Sequence, residues 1–226
     1  MLALAVTASA CGYEGEVFAT GIARDLSDGR LAYCEYHLPA ENDSRQVLYY
    51  NPEGNLIAKK YLKRVNSPLT EVFQLDLRHG EQRQVQKTSA GWTLGYQEKR
   101  GVDGNYVDLP AEDFDVIDAG FDVFVRQHWA SLSRGEILTF NFASPVHGRK
   151  IGLRAQRTEC KDSSKNSICI SVDVAQPLLR LFAGSLYLQY DEDSRRLQVF
   201  EGVSNLVDAR GKSQKVRIGY TYPESN

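Results

Sequence analysis

Turn signals recur along this chain, and the stretches between them suit short strands better than helices. Leu26-Ser27-Asp28-Gly29-Arg30 and Asn51-Pro52-Glu53-Gly54-Asn55 are the clearest. An Asp-Gly between alternating segments favours a hairpin, while Pro52 presets one turn dihedral and Gly54 accepts a positive one. His79-Gly80, Ala90-Gly91, Val102-Asp103-Gly104, Asp191-Glu192-Asp193-Ser194 and Ala209-Arg210-Gly211 continue the series. Residues 31–38 alternate, with Leu31, Tyr33, Glu35 and His37 on one face and Ala32, Cys34, Tyr36 and Leu38 on the other. In residues 56–62, Leu56, Ala58, Lys60 and Leu62 oppose Ile57, Lys59, Tyr61 and Lys63. The lysines there are expected to mark an exposed or edge strand. Further strands are expected over 16–23, 46–50, 70–77, 82–87, 92–98, 105–109, 137–143, 150–158, 168–174, 185–190, 197–203 and 215–222.

One segment has a different period. Phe121, Phe124, Val125, Trp129 and Leu132 recur at spacings of three and four, which places them on one face of a helix. Asp118 is positioned to cap its start, Asp122 suits its positive end, and Gly135 is a natural stop. The expected fold is therefore mainly β: a large curved antiparallel sheet, half-barrel or barrel-like meander, with one amphipathic helix packed on it. The five apolar helix residues are the candidates for lining or lidding an apolar cavity beneath the helix. The 12 Tyr, 9 Phe and 2 Trp supply enough aromatic surface for either a packed core or such a cavity. A short helical turn is also expected over 178–182, after Pro177.

Residues 1–10, MLALAVTASA, form an apolar run ending in Ala8-Ser9-Ala10, the small-residue pattern a signal peptidase accepts. The chain is expected to divide into a signal-peptide remnant over 1–10 and one β-rich domain over 11–226, released into the periplasm. Cys11 directly follows the small residues, so the alternative is an outer-membrane lipoprotein lipidated at Cys11. Elsewhere no run reaches the length of a membrane-spanning helix, and membrane contact is expected only through a lipidated Cys11. Cys160 and Cys169 flank the polar stretch KDSSKNSI. If the strands on either side pair, the two sulfurs meet at the base of a hairpin loop, and a disulfide is expected there in an oxidising compartment; otherwise they are two buried thiols.

Charge and motifs narrow the function by exclusion. A net charge of -2 without a concentrated basic face gives no footprint for nucleic acid. The four histidines, His37, His79, His128 and His147, do not pair at metal-ligand spacing. Gly-x-Ser-x-Gly, dinucleotide and P-loop patterns do not occur. The acidic run over 112–118 reads as a solvated lead-in to the helix. No catalytic, cofactor-binding or metal residue is assigned, and no cofactor is expected.

The stretch YDEDSRRLQVFEGVSNLVDARGKSQKVRIGY over 190–220, continuing to Tyr222, together with Asp118-Ala119-Gly120-Phe121-Asp122, resembles an uncharacterised family of Gram-negative periplasmic or envelope proteins. The order of hairpins around a helix is more distantly similar to the half-barrel of Lol-type lipoprotein carriers, a likeness of architecture that transfers no residue role. Two functions follow as expectations. One is non-enzymatic binding of a lipid or other apolar, acyl-bearing ligand, or of a protein partner. The other is a hydrolase of unrecognised type using acidic or histidine residues at the sheet mouth, with Asp113, Asp115, His128 and His147 as its candidates.

Overall fold

Alternating segments between turn residues become strands throughout the computed structural model, which describes residues 11–162, 166–176 and 184–223. The expectations for 1–10 and for the turn at 178–182 lie outside the described residues. The strands are Ala19–Asp25 (β1), Leu31–His37 (β2), Ser44–Tyr50 (β3), Leu56–Lys63 (β4), Glu71–Asp76 (β5), Gln82–Lys87 (β6), Gly91–Gln97 (β7) and Asn105–Pro110 (β8). After two helices come Leu138–Ser144 (β9), Arg149–Thr158 (β10), Ser167–Val174 (β11), Leu186–Asp191 (β12), Leu197–Val207 (β13) and Ser213–Thr221 (β14). All fourteen belong to one antiparallel sheet in the order β8-β7-β6-β5-β4-β3-β2-β1-β14-β13-β12-β11-β10-β9. It is two meanders, β1–β8 and β9–β14, joined where β1 pairs with β14. β4 lies between β3 and β5, so it is not an edge; of its lysines Lys63 is exposed as expected, Lys59 is half-buried and Lys60 is buried.

The sheet is open, with β8 and β9 as its edges, but strongly rolled. Laid flat at about 4.8 Å per strand, its edges would stand roughly 60 Å apart. Instead, the Cβ direction of Gly148, between β9 and β10, points at Val107 of β8 from 3.1 Å. Residues 115–117 bridge part of the gap. Asp115 N–H donates to Asn141 O and Ala143 N–H to Val116 O, while Ile117 N–H donates to Pro68 O in the loop before β5. Eight strands close around an interior that side chains can fill, and a fourteen-stranded roll encloses more. The chain fills that extra interior with its helices and with the bulged end of β13, where Ser204 meets the Tyr33 hydroxyl at 2.8 Å.

The single helix of the sequence reading is two: Gly120–Gln127 (α1) and Trp129–Ser133 (α2). His128 breaks it, leaving helical geometry at φ -101° and ψ 19°. Its N–H donates to Phe124 O, and its ring Nδ1 lies 2.9 Å from the same carbonyl. Asp118 does not cap the helix. It takes a left-handed φ of 43° and turns its carboxylate to Lys60. Gly120 opens α1 because a Cβ there would stand 2.0 Å from Pro68 O.

Phe124, Val125, Trp129 and Leu132 are buried against Phe140, Ile168, Ile170, Leu188 and Tyr190 on the inner face of β9–β12. A second cluster, including Tyr33, Tyr49, Leu62, Trp92 and Leu94, forms the core of the β1–β8 half. On the outer face of β2 and β3, Tyr13 packs on Tyr36 and Tyr50, and Cys11 is bonded to Cys34 with a Cα–Cα distance of 6.0 Å. The sulfur of Cys11, the site of the alternative lipidated form, is thus engaged in a disulfide in this structure.

Cys160 and Cys169 are bonded at the end of the β10–β11 hairpin, with a Cα–Cα distance of 5.3 Å. On the chain-entropy account, a loop of this length adds about 2.7 kcal/mol and the longer Cys11–Cys34 loop about 3.4 kcal/mol. Replacing Cys11 and Cys34 by Ser is therefore expected to lower the melting temperature at least as far as the same change at Cys160 and Cys169. The opposite ranking in calorimetry would show that local packing, rather than loop closure, sets the effect.

Candidate functional site

Between the two core clusters lies a cavity of about 500 Å³. Its walls are the inward-facing positions of both meanders and one side of α1. This size lies within the range of small-molecule sites, which are mostly apolar with a few placed polar groups. Leu62, Val72 and Val85 face it from one half, and Leu153, Leu188 and Phe200 from the other. Of the five helix residues expected to line it, only Phe121 does. Phe124, Val125, Trp129 and Leu132 belong to the packed layer behind it, and α1 instead presents Asp122, Val123 and Arg126 to the cavity. The stripe has this role because β9–β12 are themselves apolar on their inner face and take it up, leaving the polar flank of α1 for the open space.

Three polar groups converge on the cavity. Glu35, 5% exposed, accepts a hydrogen bond from the Tyr220 hydroxyl at 3.0 Å and lies 3.2 Å from His37 Nε2. Lys60 Nζ donates to Asp118 Oδ1 at 2.8 Å and to Oδ2 at 3.0 Å, with its side chain 5% exposed. Arg126 pairs with Asp122 one helical turn away at 2.8 Å, and Arg45 of β3 feels the charge of the same carboxylate without an ion pair to it. Burial holds the phenols of Tyr33, Tyr49, Tyr190 and Tyr220 well above their ordinary value, and pushes Tyr222 up to about 12. The interior hydroxyls thus stay protonated near neutral pH, and those of Tyr220 and Tyr222 donate to Glu35 and to Leu197 O.

Burial also raises the Asp122 carboxyl, outweighing the attraction of Arg126, the Tyr190 hydroxyl, Arg45 and His37. A folded-state pKa raised in this way means that the folded protein binds the proton more tightly than the unfolded chain. The associated stability is complete below the unfolded value and is lost as pH rises through the folded one. Asp122→Asn does not titrate there. Its melting temperature relative to wild type is expected to improve from about pH 3 towards neutrality, starting near the ordinary carboxylate range. Parallel melting curves across that window would contradict the assignment.

The residues put forward for hydrolysis do not converge. Asp113 pairs with Lys150, Asp115 accepts from Asn141 N–H, His128 lies on Phe124, and His147 Nδ1 lies 2.8 Å from Ser144 Oγ. None of the four lines the cavity. Among the described residues, no group of three or more His, Cys, Asp or Glu is placed to hold a metal ion. No helix among them is long and apolar enough to cross a membrane.

The residues that do converge were legible only as exceptions to alternation. Glu35 shares a face with Tyr33, Lys60 with Ala58 and Leu62, and Arg45 with Val47 and Tyr49, so each is a charge on an apolar face. Comparison with known protein families, with curated proteins and with solved structures finds no match.

Proposed function

We propose that this protein is an exported envelope protein that binds a single apolar, acyl-bearing ligand within its rolled sheet, without chemistry of its own. The cavity carries this reading: it lies between both meanders, is apolar over most of its wall, and has polar groups at a few positions. Two disulfides support an oxidising compartment, in keeping with export to the periplasm. The resemblance to an uncharacterised envelope family agrees with export, and the architectural likeness to Lol-type carriers alone points towards acyl chains. The test is native mass spectrometry of protein purified from the cell envelope of its own organism. An adduct with the mass of an acyl-bearing molecule, released by organic solvent, is expected. Protein that carries no adduct and gains none when incubated with fatty acids or phospholipids would overturn the reading.

Glu35 and His37 favour one second reading, in which an ester within the bound ligand is hydrolysed using His37 as base. Release of acid from an ester substrate by wild type, abolished in His37→Gln with binding intact, would establish it. Equal rates in both proteins would dismiss it.

A further inference from the structure

Arg45 is the charge in this cavity that, among the described residues, makes no hydrogen bond or ion pair. Lys60 is paired with Asp118, Arg126 with Asp122 and Arg83 with Glu81, while Glu35 is held by Tyr220 and His37. Among the described residues, the Arg45 side chain has no hydrogen bond or ion pair, and its Nε is buried with no partner. Its guanidinium instead stands over the Phe18 ring, 4.0 Å from the centroid. Burial opposes its charge and Arg126 repels it, with Asp122 providing the main attraction. A buried donor left unmet is costly, and a guanidinium is shaped to meet an anion through two parallel hydrogen bonds. Stacking on an aromatic ring holds the fork in one orientation without using its donors.

The position matters as much as the charge. Phe18 is 40% exposed and packs edge-on against Tyr222 at 5.7 Å, so Arg45 marks the end of the cavity that reaches the surface. Much of the remaining wall, including Leu62, Val72, Val85 and Leu188, is apolar. At about 30 Å³ for each water-sized group, the space holds roughly seventeen such groups, the size of one medium-length acyl chain and its head. Resting on the ligand-binding reading above, we propose that Arg45, assisted by Arg126, binds the anionic head of an amphiphile, a carboxylate or phosphate, whose chain fills the apolar end.

Displacement of a fluorescent apolar probe tests this with decanoic acid, decyl phosphate, decanol and decylamine, and with acetate and inorganic phosphate as heads without a chain. The two anionic decyl compounds should displace the probe at about tenfold lower concentration than decanol, the ratio expected from a charged hydrogen bond of about 1.5 kcal/mol. Decylamine should be weakest, and the two short anions should not displace it. Arg45→Gln should remove the anionic preference and leave decanol unchanged, and Arg45→Lys should keep part of it. If decanol binds and the anions show no preference, or if Arg45→Gln keeps the preference, the head-group assignment is wrong and the cavity reading stands. If no decyl compound displaces the probe, both fall. Acetate or inorganic phosphate binding as strongly as its decyl counterpart would make this a small-anion site and overturn the proposal.

Discussion

Asp118→Asn is expected to cost about 3 kcal/mol of folding free energy, because it leaves the Lys60 ammonium buried opposite a neutral amide. Lys60 points inward from β4, a central strand, with its side chain 5% exposed, and cannot reach solvent without disturbing the strand. The expected loss lies at the low end for broken buried pairs because the Asp118 side chain is 25% exposed, which leaves the site partly hydrated. Asn tolerates the left-handed φ of 43° at this position, so the substitution isolates the charge. Adding Lys60→Met should recover most of the loss, since no unpaired charge then remains. Urea denaturation of the two single variants and the double variant gives the coupling directly. A loss under about 0.5 kcal/mol in Asp118→Asn would place the pair among exposed ion pairs, which contribute little.

Trp129→Ala is expected to cost about 3–5 kcal/mol, the range for truncating a large buried aromatic side chain. Trp129 is 8% exposed, meets Tyr190 edge-on at 5.9 Å, and is covered by the Arg195 guanidinium at 5.6 Å from its ring. It pins α2 to the inner face of β12, and through α2 it sets where α1 presents Asp122 and Arg126. The loss should therefore be accompanied by weaker ligand binding in the folded fraction. A shift near zero in the denaturation midpoint would mean that the helices are peripheral to the fold.

The strands were legible because alternation and turn chemistry are local. The Asp-Gly of Leu26–Arg30 and the Pro and Gly of Asn51–Asn55 fix hairpins whatever the rest of the chain does. The Cys160–Cys169 bond was legible for the same reason, since only its own hairpin is needed to form it. The roll of the sheet was not, because it depends on β1 finding β14 from the other end of the chain and on residues 115–117 linking β9 to the loop before β5. The break at His128 was missed because the apolar spacing continues unchanged across it. The apolar stripe of the helices was read correctly as buried, but whether it faces a cavity or a wall depends on the strands opposite, which its own period does not encode. For Lys60, the prior that lysines sit at edges concealed the informative fact, that this lysine shares its face with Ala58 and Leu62.

The central claim, that the space between the two clusters is where a ligand binds, is tested most directly by filling it from the helix. Val123 lines the cavity from α1, so Val123→Trp would project an indole into that space while the Phe124, Val125 and Trp129 packing behind it is left in place. Wild-type protein should gain melting temperature with increasing decanoic acid, as any ligand of the folded state requires. Val123→Trp should fold with the same far-ultraviolet dichroism and show no such gain. An equal rise in both proteins would place the ligand outside the cavity and contradict the account.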